Sequence, residues 1–171
     1  MEVEVEAHEQ RNHWTMVLRS TLPEESKTIR AIWSFKRKRY PDGRLNTQKA
    51  RLCAHGGMQQ WGDNYWETYS PVVNMLSVRL LIAICHIHGL DSKAIDFVLE
   101  FTQADLDIDI WMELPEGMVP DNDEDNKGKY VLKLNKSLYG LNQALHNWYN
   151  KLKQAMLVEI SSLQRLIHAS L

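Results

Sequence analysis

Residues 31–54 read AIWSFKRKRYPDGRLNTQKARLCA, and this stretch predicts a β-hairpin. Residues 31–36 have strand character, because Trp33 and Phe35 fall on one face of an extended chain. Pro41-Asp42-Gly43 is a turn signal, since Pro fixes φ and Gly accepts a positive φ. A second strand over residues 49–54 completes the hairpin. The connecting loop is longer than the tight two-residue type, which leaves the register of the two strands open.

The charge of the chain is distributed unevenly. Its 20 Lys and Arg against 22 Asp and Glu give a formal net charge of -2, which by itself indicates no nucleic-acid partner. Residues 27–51, however, contain nine basic residues and one acid, Asp42. Acidic residues flank this segment at Glu2, Glu4, Glu6 and Glu9 and again within residues 121–125. The pattern is therefore a basic segment between two acidic ones.

The composition argues against several classes of protein. With 171 residues, 44% of them hydrophobic and 25% charged, the chain fits one soluble domain or part of a larger one. Cys53 and Cys85 are far apart and lack CxxC spacing, so we expect neither a disulfide framework nor a zinc site, in a reducing intracellular setting. The acidic first ten residues lack the apolar region of a signal peptide. The longest apolar run, residues 80–85, is too short to cross a bilayer, and no membrane partner is expected.

The remaining sequence mixes predicted helices and strands. Ser77 is a candidate N-cap for a helix over residues 78–88, and Gly89 is a candidate stop. Strands are predicted over residues 93–98, 110–114 and 130–134, with a solvated loop over residues 121–128. From Asn142 onward, apolar residues at spacings of three and four predict a second helix. The Trp residues are expected mainly in the core, and the alternative for a minority of them is a stacking surface. The irregular order of elements favours the α+β class.

Five sequence blocks carry the most specific motifs of the chain. They are WSFKRKR with PDG in residues 33–43, KARLCAHG in 49–56, QWGDNYWETYSPVV in 60–73, IDFVLEF through WMELPEG in 95–117, and KSLYGLNQA with Trp148-Tyr149 in 136–149. In this order they resemble the copia-type reverse transcriptase of retrotransposon Gag-Pol polyproteins. The resemblance covers residues 12–157, preceded by an acidic N-terminal tail (1–11) and followed by a C-terminal tail without resemblance (158–171).

This resemblance implies the fingers and part of the palm of a right-hand polymerase. The implied reaction is RNA-directed DNA synthesis, with primer–template and deoxynucleoside triphosphates as partners and the rest of the Gag-Pol polyprotein alongside. The implied setting is intracellular, in a cytoplasmic virus-like particle or the nucleus. Two Mg²⁺ ions held by carboxylates would assist the phosphoryl transfer. By resemblance Asp96 is the first catalytic and metal-binding carboxylate, and the backbone carbonyl of Phe97 is a second ligand; the plain alternative is a solvated strand-end Asp.

The resemblance also implies a set of nucleotide-binding residues. Lys36, Lys38, Lys49 and Arg51 would neutralise phosphates, with Arg51 favoured because its planar guanidinium binds phosphate oxygens in pairs. Phe101 would be a steric gate beneath the sugar, and Tyr139, Gly140 and Gln143 would position nucleotide and template. The alternatives are a solvated basic face, an ordinary core Phe, a turn Gly and a polar residue at a helix start.

The sequence departs from the family pattern in ways that bear on activity. A working enzyme needs a later Tyr-x-Asp-Asp hairpin, and this sequence has no Asp after Asp125. Glu100 stands where a small residue is usual, Ala104 where Gly is usual, and Leu145 where Pro is usual. Three hypotheses therefore remain: a polymerase fragment that is inactive alone, a non-catalytic nucleic-acid-binding module, and a degenerate remnant without a stable product.

Overall fold

The computed structural model describes residues 1–118 and 128–169, and for residues 160 and 162–169 it describes the backbone alone. Helices and strands are mixed along the chain, as the α+β prediction requires. In order they are α1 (Glu2–Glu9), β1 (Trp14–Leu18), β2 (Thr28–Ile29), β3 (Ala31–Arg39), β4 (Leu45–Ala54), α2 (Met75–Ile87), β5 (Asp105–Glu113), β6 (Tyr130–Lys136) and α3 (Ala144–Ala169).

A four-stranded sheet in the order β1-β6-β5-β2 supports the core. β6 pairs antiparallel with β1 and β5, while the short β2 runs parallel to β5. Strand β5 alternates acidic and apolar residues from Asp105 to Ile110, and its two buried residues, Ile110 and Met112, lie on the same face of the sheet. The core includes Ile29, Leu52, Ile110, Met112, Leu132 and Leu138.

The predicted hairpin is confirmed as a separate two-stranded sheet of β3 and β4. Its register, which the sequence left open, sets Ser34 opposite Arg51 and Lys36 opposite Lys49. The base of the hairpin is anchored, because Leu52 is fully buried in the core. Most of the side chains towards the turn are exposed. The basic residues are therefore displayed on an arm rather than folded into the domain.

The segment expected to be an acidic tail is mostly the helix α1. Val5 packs against the core, and His8 is fully buried. The His8 ring stacks on Trp14 at a centroid distance of 4.9 Å, and its Nδ1 lies 2.7 Å from Nδ1 of His13. An eight-residue helix is marginal on its own, so these contacts account for its formation.

The helix predicted after residue 77 is confirmed as α2, but its N-cap is different. Asn74, in an extended conformation, accepts a hydrogen bond from the Leu76 amide at 2.9 Å, whereas Ser77 already lies inside the helix. Gly89, with φ +61°, follows the helix end as predicted. No side chain of α2 is buried, which is unusual for such an apolar helix.

The strand predicted over residues 93–98 is not formed. This segment is irregular, and Ile95 and Val98 are 71% and 74% exposed. A strand needs a hydrogen-bonding neighbour, and none of the strands in the described ranges pairs with it. The strands predicted over residues 110–114 and 130–134 are confirmed within β5 and β6, and the helix predicted from Asn142 is confirmed as α3. The predicted loop over residues 121–128 lies outside the described residues except for its last position.

The expectation that the Trp residues pack the core is wrong for two of them. Trp14 is buried, but Trp61 is 71% exposed and Trp66 is 56% exposed. These two rings meet edge to face at 5.9 Å, and Trp61 Nε1 donates to the Trp66 carbonyl at 2.9 Å. Their mutual contact thus replaces core packing. Among the described helices none is long and apolar enough to cross a membrane.

Candidate functional site

A cleft of about 430 Å³ lies at the base of the hairpin and collects side chains from four parts of the chain. α1 and the turn after it form one side, β4 a second, residues 96–100 a third and Tyr139 the fourth. It brings together five of the residues that the sequence predicted as a site: Lys49, Arg51, Asp96, Phe97 and Tyr139. We refer to this space as the cleft.

Tyr139 lines the cleft and is held there by several contacts. Its hydroxyl donates a hydrogen bond to Glu100 Oε2 at 2.9 Å, and its backbone carbonyl accepts one from the Ala54 amide at 2.7 Å. Phe101 meets its ring edge to face at 4.9 Å, and the Arg51 guanidinium lies over its face, 5.0 Å from the ring centroid. Burial, followed by the Glu100 hydrogen bond, raises the pKa of Tyr139 to about 12, so the phenol remains a proton donor.

Asp96 lies on an irregular segment that its neighbours hold in place. The Phe97 ring packs edge to face against Trp148 of α3 at 5.0 Å. Leu99 takes a left-handed conformation (φ +53°), and its carbonyl accepts the Thr102 hydroxyl at 2.8 Å. The Asp96 side chain is exposed at the cleft. The segment is thus fixed by side-chain anchors and a turn instead of a strand ladder.

The donor set present does not complete a magnesium site. Mg²⁺ prefers octahedral oxygen coordination and usually takes carboxylates together with waters and phosphates. Three carboxylates line the cleft, those of Glu4, Asp96 and Glu100, and one oxygen of Glu100 is already engaged by Tyr139. Throughout residues 1–118 and 128–169 no group of three or more His, Cys, Asp or Glu side chains could hold a metal ion.

The four predicted cations share one face of the hairpin. The register pairs Lys36 with Lys49 and Ser34 with Arg51, and paired residues of an antiparallel sheet share a face. Since residues two apart in a strand also share a face, all four cations lie on the same side of the hairpin. Lys49 and Arg51 line the cleft, whereas Lys36 and Lys38 continue outward along the arm and do not. In the described part of the chain none of the four forms an ion pair with a carboxylate. This face is available to anions.

Gly140 and Gln143 lie outside the cleft. Gly140 has φ +90°, and a Cβ on it would overlap the backbone of Ala54, so glycine is required for the loop to touch β4. Gln143 is 3% exposed. Its Nε2 donates to the Asn64 carbonyl and its Oε1 accepts from Gln59 Nε2, each at 3.0 Å. Gly140 thus allows the loop to contact β4, and Gln143 directs its amide into a buried hydrogen-bond network and not into the cleft.

Comparison with known proteins places the chain in a family. The family model described as reverse transcriptase (RNA-dependent DNA polymerase) matches residues 11–166. The chain belongs to this reverse transcriptase family. The match extends beyond residue 157, where the resemblance was expected to end.

Three curated relatives of this reverse transcriptase sequence are Pol polyproteins of plant transposons. It is 35% identical over 91% of its length to the retrovirus-related Pol polyprotein from transposon TNT 1-94 of Nicotiana tabacum, of which it covers 11%. It is 37% identical over 79% of its length to that from transposon RE1 of Arabidopsis thaliana, covering 9%. It is 35% identical over 73% of its length to the Pol polyprotein from transposon RE2 of the same plant, of which it covers 8%. The chain thus spans about a tenth of these relatives' length, and no solved structure matches it.

Two parts of the cleft were not predicted from the sequence. Glu4 and Arg11 line it from α1 and the turn after it, a region interpreted only as an acidic tail. The apolar Val5 and the buried His8, three positions apart, were a weak sign of a packed helical face. Glu100 was noted as a departure, but no sequence signal connects it with Tyr139, which lies 39 residues later.

Proposed function

We propose that the cleft is the nucleotide-binding part of a reverse transcriptase module that works within a longer Pol polyprotein. The proposal rests on one observation: the cations Lys49 and Arg51 and the carboxylate of Asp96 line a single cleft. A nucleoside triphosphate is a polyanion, and Arg binds phosphate oxygens through paired, charge-assisted hydrogen bonds. Primer–template and deoxynucleoside triphosphates are accordingly the proposed partners.

Each cleft residue has a proposed role that follows from its position. Arg51 and Lys49 hold the phosphates, and the face of Tyr139 carries the Arg51 guanidinium. Phe101 acts through Tyr139, because it packs on that ring and does not line the cleft. Lys36 and Lys38 extend the cationic face along the arm, where a nucleic-acid backbone would bind in a salt-dependent manner.

We propose no catalytic role for Asp96 without further ligands. Asp96 and the carbonyl of Phe97 would contribute two oxygens to a magnesium ion, which supplies charge stabilisation to phosphoryl transfer when bound. Since no three metal-binding side chains of the described residues are grouped so that they could hold a metal ion, we expect this chain alone to bind nucleotides and primer–template without extending the primer.

Binding is tested by isothermal titration with dTTP and by fluorescence anisotropy with an oligo-dT primer on poly-rA. Arg51→Ala should weaken dTTP binding about tenfold or more, because a charge-assisted pair contributes roughly 1.5–3 kcal/mol. Arg79→Ala, which removes an exposed cation on α2, is the matched control and should change nothing. Equal effects of the two substitutions would refute a specific phosphate site at Arg51.

The second candidate function is a non-catalytic nucleic-acid-binding module. The unpaired cationic face that runs beyond the cleft favours it, since Lys36 and Lys38 are exposed on the arm. Replacing both by Ala should weaken primer–template binding for every sequence and lower the salt slope by up to about 2. Primer extension separates the candidates: Mg²⁺-dependent incorporation that disappears in Asp96→Asn would show catalysis by this chain. A broad, non-cooperative thermal melt would instead indicate a degenerate remnant.

A further inference from the structure

Glu100 is a side chain of the cleft that neither the family pattern nor the proposed chemistry requires. It is half-buried, lines the cleft, and accepts the Tyr139 hydroxyl at 2.9 Å. The same Tyr139 ring lies under the Arg51 guanidinium. Glu100, Tyr139 and Arg51 therefore form one continuous chain of contacts along the wall.

The first consequence of this contact chain is geometric. Three contacts fix the position of Tyr139. Glu100 accepts a hydrogen bond from its hydroxyl, Phe101 packs against its ring, and its backbone carbonyl accepts a hydrogen bond from the amide of Ala54. A guanidinium above an aromatic face is held by the ring's negative quadrupole. Fixing the ring therefore also fixes the position of Arg51 relative to the cleft.

The second consequence is electrostatic. The side chains that line the cleft carry three negative and three positive charges, which are Glu4, Asp96 and Glu100 against Arg11, Lys49 and Arg51. Among the described residues Glu100 has no cationic partner, and its hydrogen bond comes from a neutral phenol. Its charge is thus not held in an ion pair with any described residue, and it repels a polyanion that approaches Arg51.

We infer that Glu100 is a positioning residue that holds Tyr139 beneath Arg51 and at the same time keeps the affinity of the cleft for polyphosphates low. The inference rests on the proposed function, because it takes the cleft to be a phosphate-binding site. It assigns to one side chain two opposite effects, which conservative variants can separate. Glu100→Gln keeps a hydrogen-bond acceptor and removes the charge, whereas Glu100→Ala removes both.

The test is isothermal titration of the full chain with inorganic tripolyphosphate and, separately, with dTTP at low salt. Glu100→Gln should bind both about three- to tenfold more tightly than the wild type, because one repelling charge is lost at short range. Glu100→Ala should bind more weakly than Glu100→Gln, since Tyr139 loses its anchor. Glu67→Gln removes an exposed carboxylate outside the cleft and should leave both affinities unchanged. Thermal melts of all variants check that each is folded.

Two results would overturn the inference. If Glu100→Gln binds no tighter than the wild type while Arg51→Ala abolishes binding, the proposed phosphate site stands and the role of Glu100 is wrong. If Arg51→Ala also has no effect, both proposals fail together. Equal affinities of Glu100→Gln and Glu100→Ala would remove the positioning part, because a charge effect alone would then explain the gain.

Discussion

We expect the buried imidazoles of His8 and His13 to make the stability of this protein depend on pH. Their Nδ1 atoms lie 2.7 Å apart, so one ring must donate and the other accept. If His13 donates, His8 carries its proton on Nε2, which faces Glu4 Oε1 at 3.7 Å. The opposite arrangement would turn a bare nitrogen towards a carboxylate. We therefore expect a neutral pair at pH 7 with His8 protonated on Nε2.

The size of the effect follows from the two pKa values. Burial, followed by the charge of Arg11, lowers the pKa of His8 to about 4. Burial also lowers the pKa of His13 to about 4, with smaller contributions from His8, Arg11 and Lys136. In the unfolded chain both imidazoles have a pKa near 6.5. Between pH 6.5 and pH 4 the unfolded chain therefore binds more protons than the folded protein, so the free energy of unfolding falls as the pH drops through this range. At pH 5 the loss is about 2 kcal/mol for one imidazole, and up to about 4 kcal/mol for both.

The assay is urea unfolding at pH 7 and pH 5, followed by circular dichroism. The double variant His8→Gln, His13→Gln keeps two groups that can hydrogen-bond to each other but do not titrate. Its free energy of unfolding should change less between the two pH values than that of the wild type, by about 2–4 kcal/mol. His86→Gln, at an exposed position of α2, is the control and should behave as the wild type does.

One outcome would refute this reasoning directly. If wild type and double variant lose the same free energy between pH 7 and pH 5, the imidazole pair is not the source of the pH dependence. Acidic groups titrate in both proteins alike, so they cancel in the comparison. Nuclear magnetic resonance titration of the His8 and His13 ring protons gives an independent readout, and midpoints near 6.5 would contradict the buried, neutral pair.

Three further predictions concern the packing. Gly140→Ala should cost about 2–4 kcal/mol in urea unfolding, because φ is +90° and a Cβ meets the β4 backbone; Gly43→Ala, with φ +87° in open space, should cost only about 1 kcal/mol. Leu132→Ala should lose about 2–5 kcal/mol, whereas Leu81→Ala, on exposed α2, should stay within about 0.5 kcal/mol; equal losses would contradict the assigned core. Gln143→Ala should cost about 1–3 kcal/mol and leave the tripolyphosphate affinity in calorimetry unchanged; a loss of affinity would return Gln143 to the cleft.

Local signals predicted the hairpin, because its determinants are close in sequence. The alternation around Trp33 and Phe35 and the Pro41-Asp42-Gly43 turn act within a few residues of each other. The same period-two signal was present in β5, where acidic residues alternate with Leu106, Ile108 and Ile110. Only residues 110–114 were interpreted as a strand, so half of β5 was missed although its pattern was readable.

Composition could not predict which apolar segments find a partner. Residues 93–98 look like a strand by residue type, yet Ile95 and Val98 lie exposed because nothing described in the structure pairs with them. Hydrophobicity measures the tendency to be buried, whereas burial itself depends on a complementary surface elsewhere in the fold. The same reason explains why α2 forms as predicted but buries none of its side chains.

The motifs predicted which residues belong to the candidate site but not where their side chains point. The resemblance selected Arg51, Asp96 and Tyr139, and all three line one cleft. It also selected Gln143, whose amide instead forms hydrogen bonds with Gln59 and Asn64 in a buried network. A motif preserves residue identity without stating which way a side chain points. That direction is fixed by contacts between residues far apart in sequence.

If the hairpin of β3 and β4 bent at its base, its outer end would move much further than its base. Nine residues of β3 at about 3.3 Å each give an arm roughly 30 Å long. Its base is fixed by buried Leu52 and by the hydrogen bond from the Ala54 amide to the Tyr139 carbonyl, while the residues of its outer part are exposed. A rotation of about 10° at the base would sweep the tip through about 5 Å. Arg51, near the base, would keep its alignment with the cleft while Lys38 moved, so a small bend would change the reach of the arm without disturbing the proposed phosphate contact.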